Sequence, residues 1–172
     1  MRASLALLLA AALLAGCQYF RGEPGSAIAE LKPTRGYTAA GQVTFLKIGD
    51  RVRVTARVTG LAPGSEHGVH VHEVGDCSAD DASSAKGHFN PHGKAHAHYT
   101  APERHAGDLP PLKADGRGVA EFEADLDIIS LTAGPALIVG RSLVVHANAD
   151  DFRTQPAGNS GARIACGVIG RP

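Results

Sequence analysis

Residues 51–58 read Arg-Val-Arg-Val-Thr-Ala-Arg-Val, a strict alternation of polar and apolar side chains. A β-strand turns successive side chains to opposite faces. Val52, Val54, Ala56 and Val58 therefore share one face, and Arg51, Arg53, Thr55 and Arg57 the other. A helix would scatter the four apolar residues around its axis, so the pattern demands a half-buried strand. Gly49-Asp50 just before it marks a tight turn, which makes residues 41–48 the hairpin partner. Further short strands are expected near residues 27–32, 68–73, 118–125, 136–139, 142–147 and 163–169. The chain has 21 glycines and 10 prolines to punctuate them. No segment shows a sustained helical period with caps, so the fold class is all-β. Two stretches, residues 75–112 and 149–162, carry no strand pattern, and loops that long in a compact domain are usually functional.

The first residues belong to targeting rather than to the fold. Arg2 gives a basic start, and residues 5–14 are Leu and Ala only. That run of about ten residues is half of what a bilayer span needs. It ends in Leu14-Ala15-Gly16-Cys17, where small residues expose the backbone to a peptidase and Cys17 offers a thiol for a lipid. The segment resembles the bacterial lipoprotein signal. Residues 1–16 are then a signal peptide, 17–25 a lipidated Cys with a short polar tether, and 26–172 a single domain. Gln18 follows the Cys, without the Asp that signals retention. The sorting pattern so implied is a bacterial cell envelope, with anchorage in the outer membrane facing the periplasm. Without residues 1–16 the chain has 16 basic and 17 acidic residues. That balance gives no reason to expect a nucleic-acid partner. Of the three cysteines, lipidation uses Cys17 and leaves Cys77 and Cys166. In an exported protein these are open to pairing, or they stay as two buried thiols.

Eight of the nine histidines fall between His67 and His105, and the ninth is His146. Such density suggests a metal. His70 and His72 are two apart on an expected strand, so both imidazoles leave one face, and His146 ends the apolar run Leu143-Val-Val-His. An all-nitrogen set of this kind suits Cu(II). His88, His96, His105 and Asp108, in the long loop, make a three-imidazole, one-carboxylate set suited to closed tetrahedral zinc. Such a site would order a loop that has no secondary structure of its own.

Five blocks of sequence bear a specific resemblance. They are His67-Gly-Val-His-Val-His-Glu-Val-Gly-Asp-Cys77, Gly87-His-Phe-Asn-Pro91, His105-Ala-Gly-Asp-Leu109, Val145-His-Ala-Asn-Ala-Asp-Asp151 and Gly158-Asn-Ser-Gly-Ala-Arg-Ile-Ala-Cys-Gly-Val-Ile-Gly170. In this order they resemble the signature of copper/zinc superoxide dismutases. The resemblance implies a Greek-key β-sandwich or flattened barrel of about eight antiparallel strands with two long functional loops. It implies dismutation of superoxide to oxygen and hydrogen peroxide by copper cycling between Cu(II) and Cu(I), beside structural zinc, as antioxidant defence outside the cytoplasm. It assigns copper to His70, His72, His88 and His146, and zinc to His88, His96, His105 and Asp108, with His88 shared. Cys77 and Cys166 match the disulfide pair. Arg163 matches the arginine beside the open copper position, and Asp150 the carboxylate linking a copper histidine to a zinc histidine. His67 matches a structural position. His92 and His98 match no ligand and read as solvated loop residues, with an extra metal site as the alternative.

Two departures from eukaryotic members resemble the bacterial branch. Residues 152–162 carry only Arg153 as a formal charge, and residues 78–87 form a longer loop that includes Lys86. Both leave open where long-range steering of superoxide originates, and a homodimer contact is not predictable. Two rival readings lack support in the residues. A metal-buffering lipoprotein would not need Arg163 beside a full copper set, and an adhesive sandwich would not need the histidine spacing.

Overall fold

The computed structural model describes residues 25–172. Seven strands form one curled antiparallel sheet: β1 (Ser26–Pro33), β2 (Ala40–Ile48), β3 (Arg51–Thr59), β5 (Val69–His72), β7 (Ala120–Leu126), β8 (Ser142–His146) and β9 (Arg163–Gly170). Their spatial order is β5-β8-β9-β1-β2-β3-β7. The last strand thus lies between the first and β8, which closes the chain ends into the middle of the sheet. Two residue pairs, β4 (Glu66–His67) and β6 (Leu112–Lys113), make a second small sheet. A 3-10 turn at Ser83–Ala85 is the one helical element among the described residues.

The β2–β3 hairpin follows from its sequence. Ile48 pairs with Arg51 across Gly49-Asp50, and Gly49 has φ 60°, which a side chain at that position would strain. Val52, Val54, Ala56 and Val58 are at most 3% exposed. They join Ala29 and Leu31 of β1, Val43 and Phe45 of β2 and Ile169 of β9 in one core. Burial of each large side chain there is worth about 1.5–3 kcal/mol. The outward arginines pair across the strand, Arg53 with Asp125 at 2.8 Å and Arg57 with Glu121 at 2.9 Å. These exposed pairs add register more than stability, because solvent screens them.

One expected strand does not form. Residues 136–139 make only an isolated bridge, Ser130 to Leu137. Leu137 N–H instead donates to Gly134 O, closing a turn. Ile138 is buried, so the apolar run there reflects a loop tucked against the core. Apolar content without alternation does not by itself separate the two outcomes.

β5 and β8 are buried on both faces. Val69, Val71, Leu143 and Val145 point into the core. Alternation then turns His70, His72, Val144 and His146 to the other face. The long loops cover that face. Val144 packs with Ala82 and Ala85 of the 3-10 turn and with Cys166, and Cys77 packs against them. Cys77 and Cys166 form a disulfide across 89 residues. The chain-entropy treatment values such closure at about 4.6 kcal/mol.

Candidate metal centre

The histidine face is assembled by strand pairing. β5 and β8 are hydrogen-bonded neighbours, with His70 opposite Val144 and His72 opposite Ser142. The loop strand carrying His88 is bridged directly to His72. Glu73 N–H donates to Gly87 O at 2.9 Å, and Phe89 N–H to Val71 O at 2.8 Å. A sheet edge therefore presents His88 beside His70 and His72. All four of His70, His72, His88 and His146 are buried.

Each of these rings has one nitrogen engaged elsewhere. His70 Nε2 lies 2.7 Å from Asp150 Oδ2, and His72 Nδ1 lies 2.8 Å from Lys86 O. His146 Nδ1 lies 3.2 Å from Gly161 O. His88 Nδ1 lies 3.3 Å from Asp108 Oδ1. The remaining nitrogens converge. His72 Nε2 and His146 Nε2 are 3.3 Å apart. His70 Nδ1 and His88 Nε2 are buried with no hydrogen-bond partner. One ring nitrogen from each of the four lies within 4.8 Å of the others. Burial, which outweighs the neighbouring carboxylates at His70 and His88, lowers the pKa of His70 and His72; it brings His88 to about 4 and His146 to about 3. These rings are neutral at pH 7, the state in which imidazole donates to a metal.

A second group centres on Asp108 Oδ1. His96 Nδ1 lies 2.9 Å from it, His88 Nδ1 3.3 Å and His105 Nδ1 3.5 Å. His105 Nδ1 is also 3.4 Å from His88 Nδ1. His70 also falls close enough to group with His88, His96 and Asp108, but its Nε2 is taken by Asp150 and its Nδ1 belongs with the four-imidazole set. Burial opposes the charge of Asp108, yet its bonds to His105, His88 and His96 hold it far below the usual carboxylate range. Burial likewise opposes charge on His96, but Asp108 and Asp150 outweigh it and raise the ring to about 9.

Asp150 joins the two groups. Its Oδ2 meets His70 Nε2 at 2.7 Å, and its Oδ1 meets His96 Nε2 at 2.9 Å. Despite burial, these bonds depress its pKa. Phe152 N–H donates to Oδ1 at 2.7 Å and fixes the carboxylate.

Two supporting residues have roles that the sequence did not show. Gln155 clamps the His96 backbone at both ends, accepting from its N–H at 2.8 Å and donating to its carbonyl at 2.8 Å. Gly158 has φ +64°, and a Cβ there would sit 1.8 Å from Asp150 Oδ1 and 2.6 Å from His96 Nε2. Both roles depend on partners distant in the chain. His67 is buried and packs structurally, with Nδ1 2.8 Å from His146 O and Nε2 2.6 Å from Ser65 Oγ. His92 is exposed. His98 lies beside Tyr99 and Phe152, with ring centroids 4.4 and 4.6 Å away. Neither joins a metal-holding group among the described residues.

A cleft of about 410 Å³ opens over three of the four imidazoles, lined by His72, His88, His146, Gly161 and Arg163 among others. Arg163 begins β9 opposite His146. Its guanidinium donates to Ala82 O and Lys86 O, both residues with positive φ at the ends of the 3-10 turn. Cys17 lies outside the described residues.

Residues 39–169 match the sequence model of the family described as copper/zinc superoxide dismutase. The chain belongs to this family. Among its relatives, Cu-Zn superoxide dismutase 2 of Aquifex aeolicus (strain VF5) is 37% identical over 145 residues, covering 82% of this chain and 84% of the relative. The Cu-Zn superoxide dismutase of Paramecium bursaria Chlorella virus 1 is 40% identical over 155 residues, covering 86% and 79%. That of Cordyceps militaris is 41% identical over 139 residues, covering 76% and 89%. A crystal structure of the clock protein EA4 superposes with a TM-score of 0.79 at 40% identity, covering 87% of this chain and 96% of that one.

As a copper/zinc superoxide dismutase, the protein converts superoxide to oxygen and hydrogen peroxide, with copper and zinc as its cofactors. Its donor sets fit both ions. Four neutral imidazole nitrogens, two of them otherwise orphaned in the interior, suit copper. Three imidazole nitrogens around a carboxylate suit zinc.

Proposed function

We propose that His70, His72, His88 and His146 hold the copper, and that His88, His96, His105 and Asp108 hold the zinc. His88 would then serve both sets, with Nε2 in the four-imidazole group and Nδ1 beside Asp108 and His105. The observation that carries this is the pair of buried nitrogens without partners, His70 Nδ1 and His88 Nε2, within the four-imidazole group. Copper held there supplies the one-electron couple that dismutation requires. The protein's own groups do the rest. Arg163 keeps its charge at working pH and faces the cleft with His72 and His146, so it binds and orients a small anion by charge-assisted hydrogen bonds. His88 can carry a proton on Nε2 while Nδ1 stays beside Asp108 and His105. Nε2 is buried without another partner, so it can hand its proton to the peroxide product. Asp150 holds His70 and His96 in fixed orientations from behind.

Metal content beside superoxide consumption tests the assignment. The purified protein should carry copper and zinc in equal amounts, and His146→Ala should lose copper and activity while keeping zinc. Full copper retention in His146→Ala would remove the copper assignment.

The chain's address is a separate proposal and rests on residues 1–25. The apolar run before Leu14-Ala15-Gly16-Cys17 supports a signal peptide of residues 1–16, acylation of Cys17, and a bacterial outer-membrane anchor with the domain in the periplasm. The lipid bilayer is then a partner through Cys17. A homodimer is compatible with this placement. Cys17→Ser should leave the domain active and release it from the membrane fraction; unchanged detergent partitioning would refute the anchor.

A further inference from the structure

Arg141 lies at the other end of β8 from His146, outside both metal groups, and nothing in the proposed chemistry uses it. Its contacts are unusual in their reach. The guanidinium carbon stands 3.6 Å from the centroid of the Phe89 ring. Nη1 donates to Glu73 O at 2.6 Å, and Nε donates to Leu137 O at 2.9 Å. Glu73 directly follows His72, and Phe89 directly follows His88. These two segments are the ones bridged to each other at His72 and His88 and closed by Glu73 N–H to Gly87 O at 2.9 Å. Alternation sends the two imidazoles to one side of this short ladder and Phe89 to the other, where it is 3% exposed and packed in the core.

We propose that Arg141 is a positioning residue for the copper site, bracing from behind the two-segment ladder that carries His72 and His88. One planar group performs three tasks at once. Its face lies on Phe89, and its edges donate to carbonyls on two other segments. Only a guanidinium combines face stacking with several in-plane donors. A lysine ammonium could reach one carbonyl or the ring, but not all three partners. Arg141 is itself held by β9 and by the loop that precedes β8, since Ile169 N–H donates to its carbonyl at 2.8 Å and its N–H donates to Ile138 O at 3.0 Å. The brace therefore runs from the strand that ends in His146 to the segments bearing His72 and His88. Partial burial lowers the Arg141 pKa, opposed by the charge of Glu73. Of the proposed zinc ligands only the shared His88 adjoins one of its partners, Phe89, so its influence should fall more heavily on copper than on zinc.

The inference rests on the copper assignment proposed above, and a His72→Ala control keeps the two apart. Arg141→Lys and Arg141→Ala would be prepared in the full chain and loaded with copper and zinc. Copper affinity would be read by chelator competition, the copper environment by electron paramagnetic resonance, zinc affinity by a second competition, and stability by thermal unfolding. Loss of a group that orients metal ligands typically costs ten- to a hundredfold in affinity. We expect both variants to shift the copper spectrum and weaken copper by about tenfold or more, with a clearly smaller loss of zinc affinity, transmitted through His88. Arg141→Lys retains the charge and the helix-free strand context, so it remains folded if Arg141→Ala does not. A native copper spectrum and affinity in Arg141→Lys would overturn the proposal. So would parallel losses of copper, zinc and thermal stability, which mark a general strut. Retention of copper by His72→Ala would instead refute the assignment on which it rests.

Discussion

At the scale of single residues, the two metal groups differ in their protons. The four imidazoles of the proposed copper group have lowered pKa values, His88 and His146 to about 4 and 3, so they are already neutral at pH 7. His96 is raised to about 9, so in the metal-free protein it is an imidazolium at pH 7 and must lose a proton before Nδ1 can donate. Zinc binding should therefore release about one proton at pH 7, and zinc affinity should climb about tenfold per pH unit until it levels above pH 9. Copper binding to the zinc-free protein, where His88 gives up only one nitrogen, should release almost none. Calorimetry in buffers of different ionisation enthalpy reads both numbers, and equal proton release for the two ions would contradict this account. Gly158 gives a second expectation. Gly158→Ala places a methyl 1.8 Å from Asp150 Oδ1 in a backbone with φ +64°. Loss of the Asp150 link should weaken metal binding by about ten- to a hundredfold, measured by chelator competition. An unchanged affinity would show that the link is dispensable. The shared face of His70 and His72 was legible because spacing of two on a strand is a statement about direction. Gln155 and Gly158 were not, because their partners His96 and Asp150 are brought to them only by the fold.

At the scale of elements, the histidine face exists because β5 and β8 have loops where other strands have solvent. The 3-10 turn at Ser83–Ala85 covers Val144 and is fastened through Cys77 to Cys166 of β9. The same turn supplies the Ala82 and Lys86 carbonyls that hold Arg163. Thr34 Oγ donates to Arg163 O at 2.7 Å and pins its backbone. Replacing both cysteines by Ser should cost up to about 4.6 kcal/mol in unfolding free energy, and should lower activity by freeing Arg163 before it releases copper. Denaturant titration and copper content, taken together, check this. Loss of copper in step with activity would place the effect at the ligands instead. Arg163→Ala should lower the second-order rate constant and weaken inhibition by small anions while copper stays bound. Full activity and full anion sensitivity at low salt would remove Arg163 from the cleft's chemistry. The strands with alternation, β3 above all, were readable from periodicity alone. Residues 136–139 were misleading because a buried loop and a buried strand share the same apolar content. The two-residue strands β4 and β6 were missed because they are too short to carry a period.

At the scale of the whole molecule, formal charge is zero, so attraction of superoxide depends on where charges stand rather than on their sum. Lys94 is held by Glu103 at 2.6 Å, and residues 152–162 contribute only Arg153. Arg163 is left as the cation lining the cleft, with exposed Lys86 beside its carbonyl anchor. Neutralising Lys86 should therefore mainly flatten the ionic-strength dependence of the rate, because exposed charges are screened over about 10 Å at 0.1 M salt. The antiparallel curled sheet brings residues from β5, β8 and both long loops to one place, and His88 stands at their junction. The sharing of His88 by two ions is the central claim, and His88→Ala tests it most directly. Metal analysis and copper paramagnetic resonance on that variant should show both ions disturbed together, with weakened copper, weakened zinc and lost activity. Native copper spectroscopy with zinc alone lost would contradict the account.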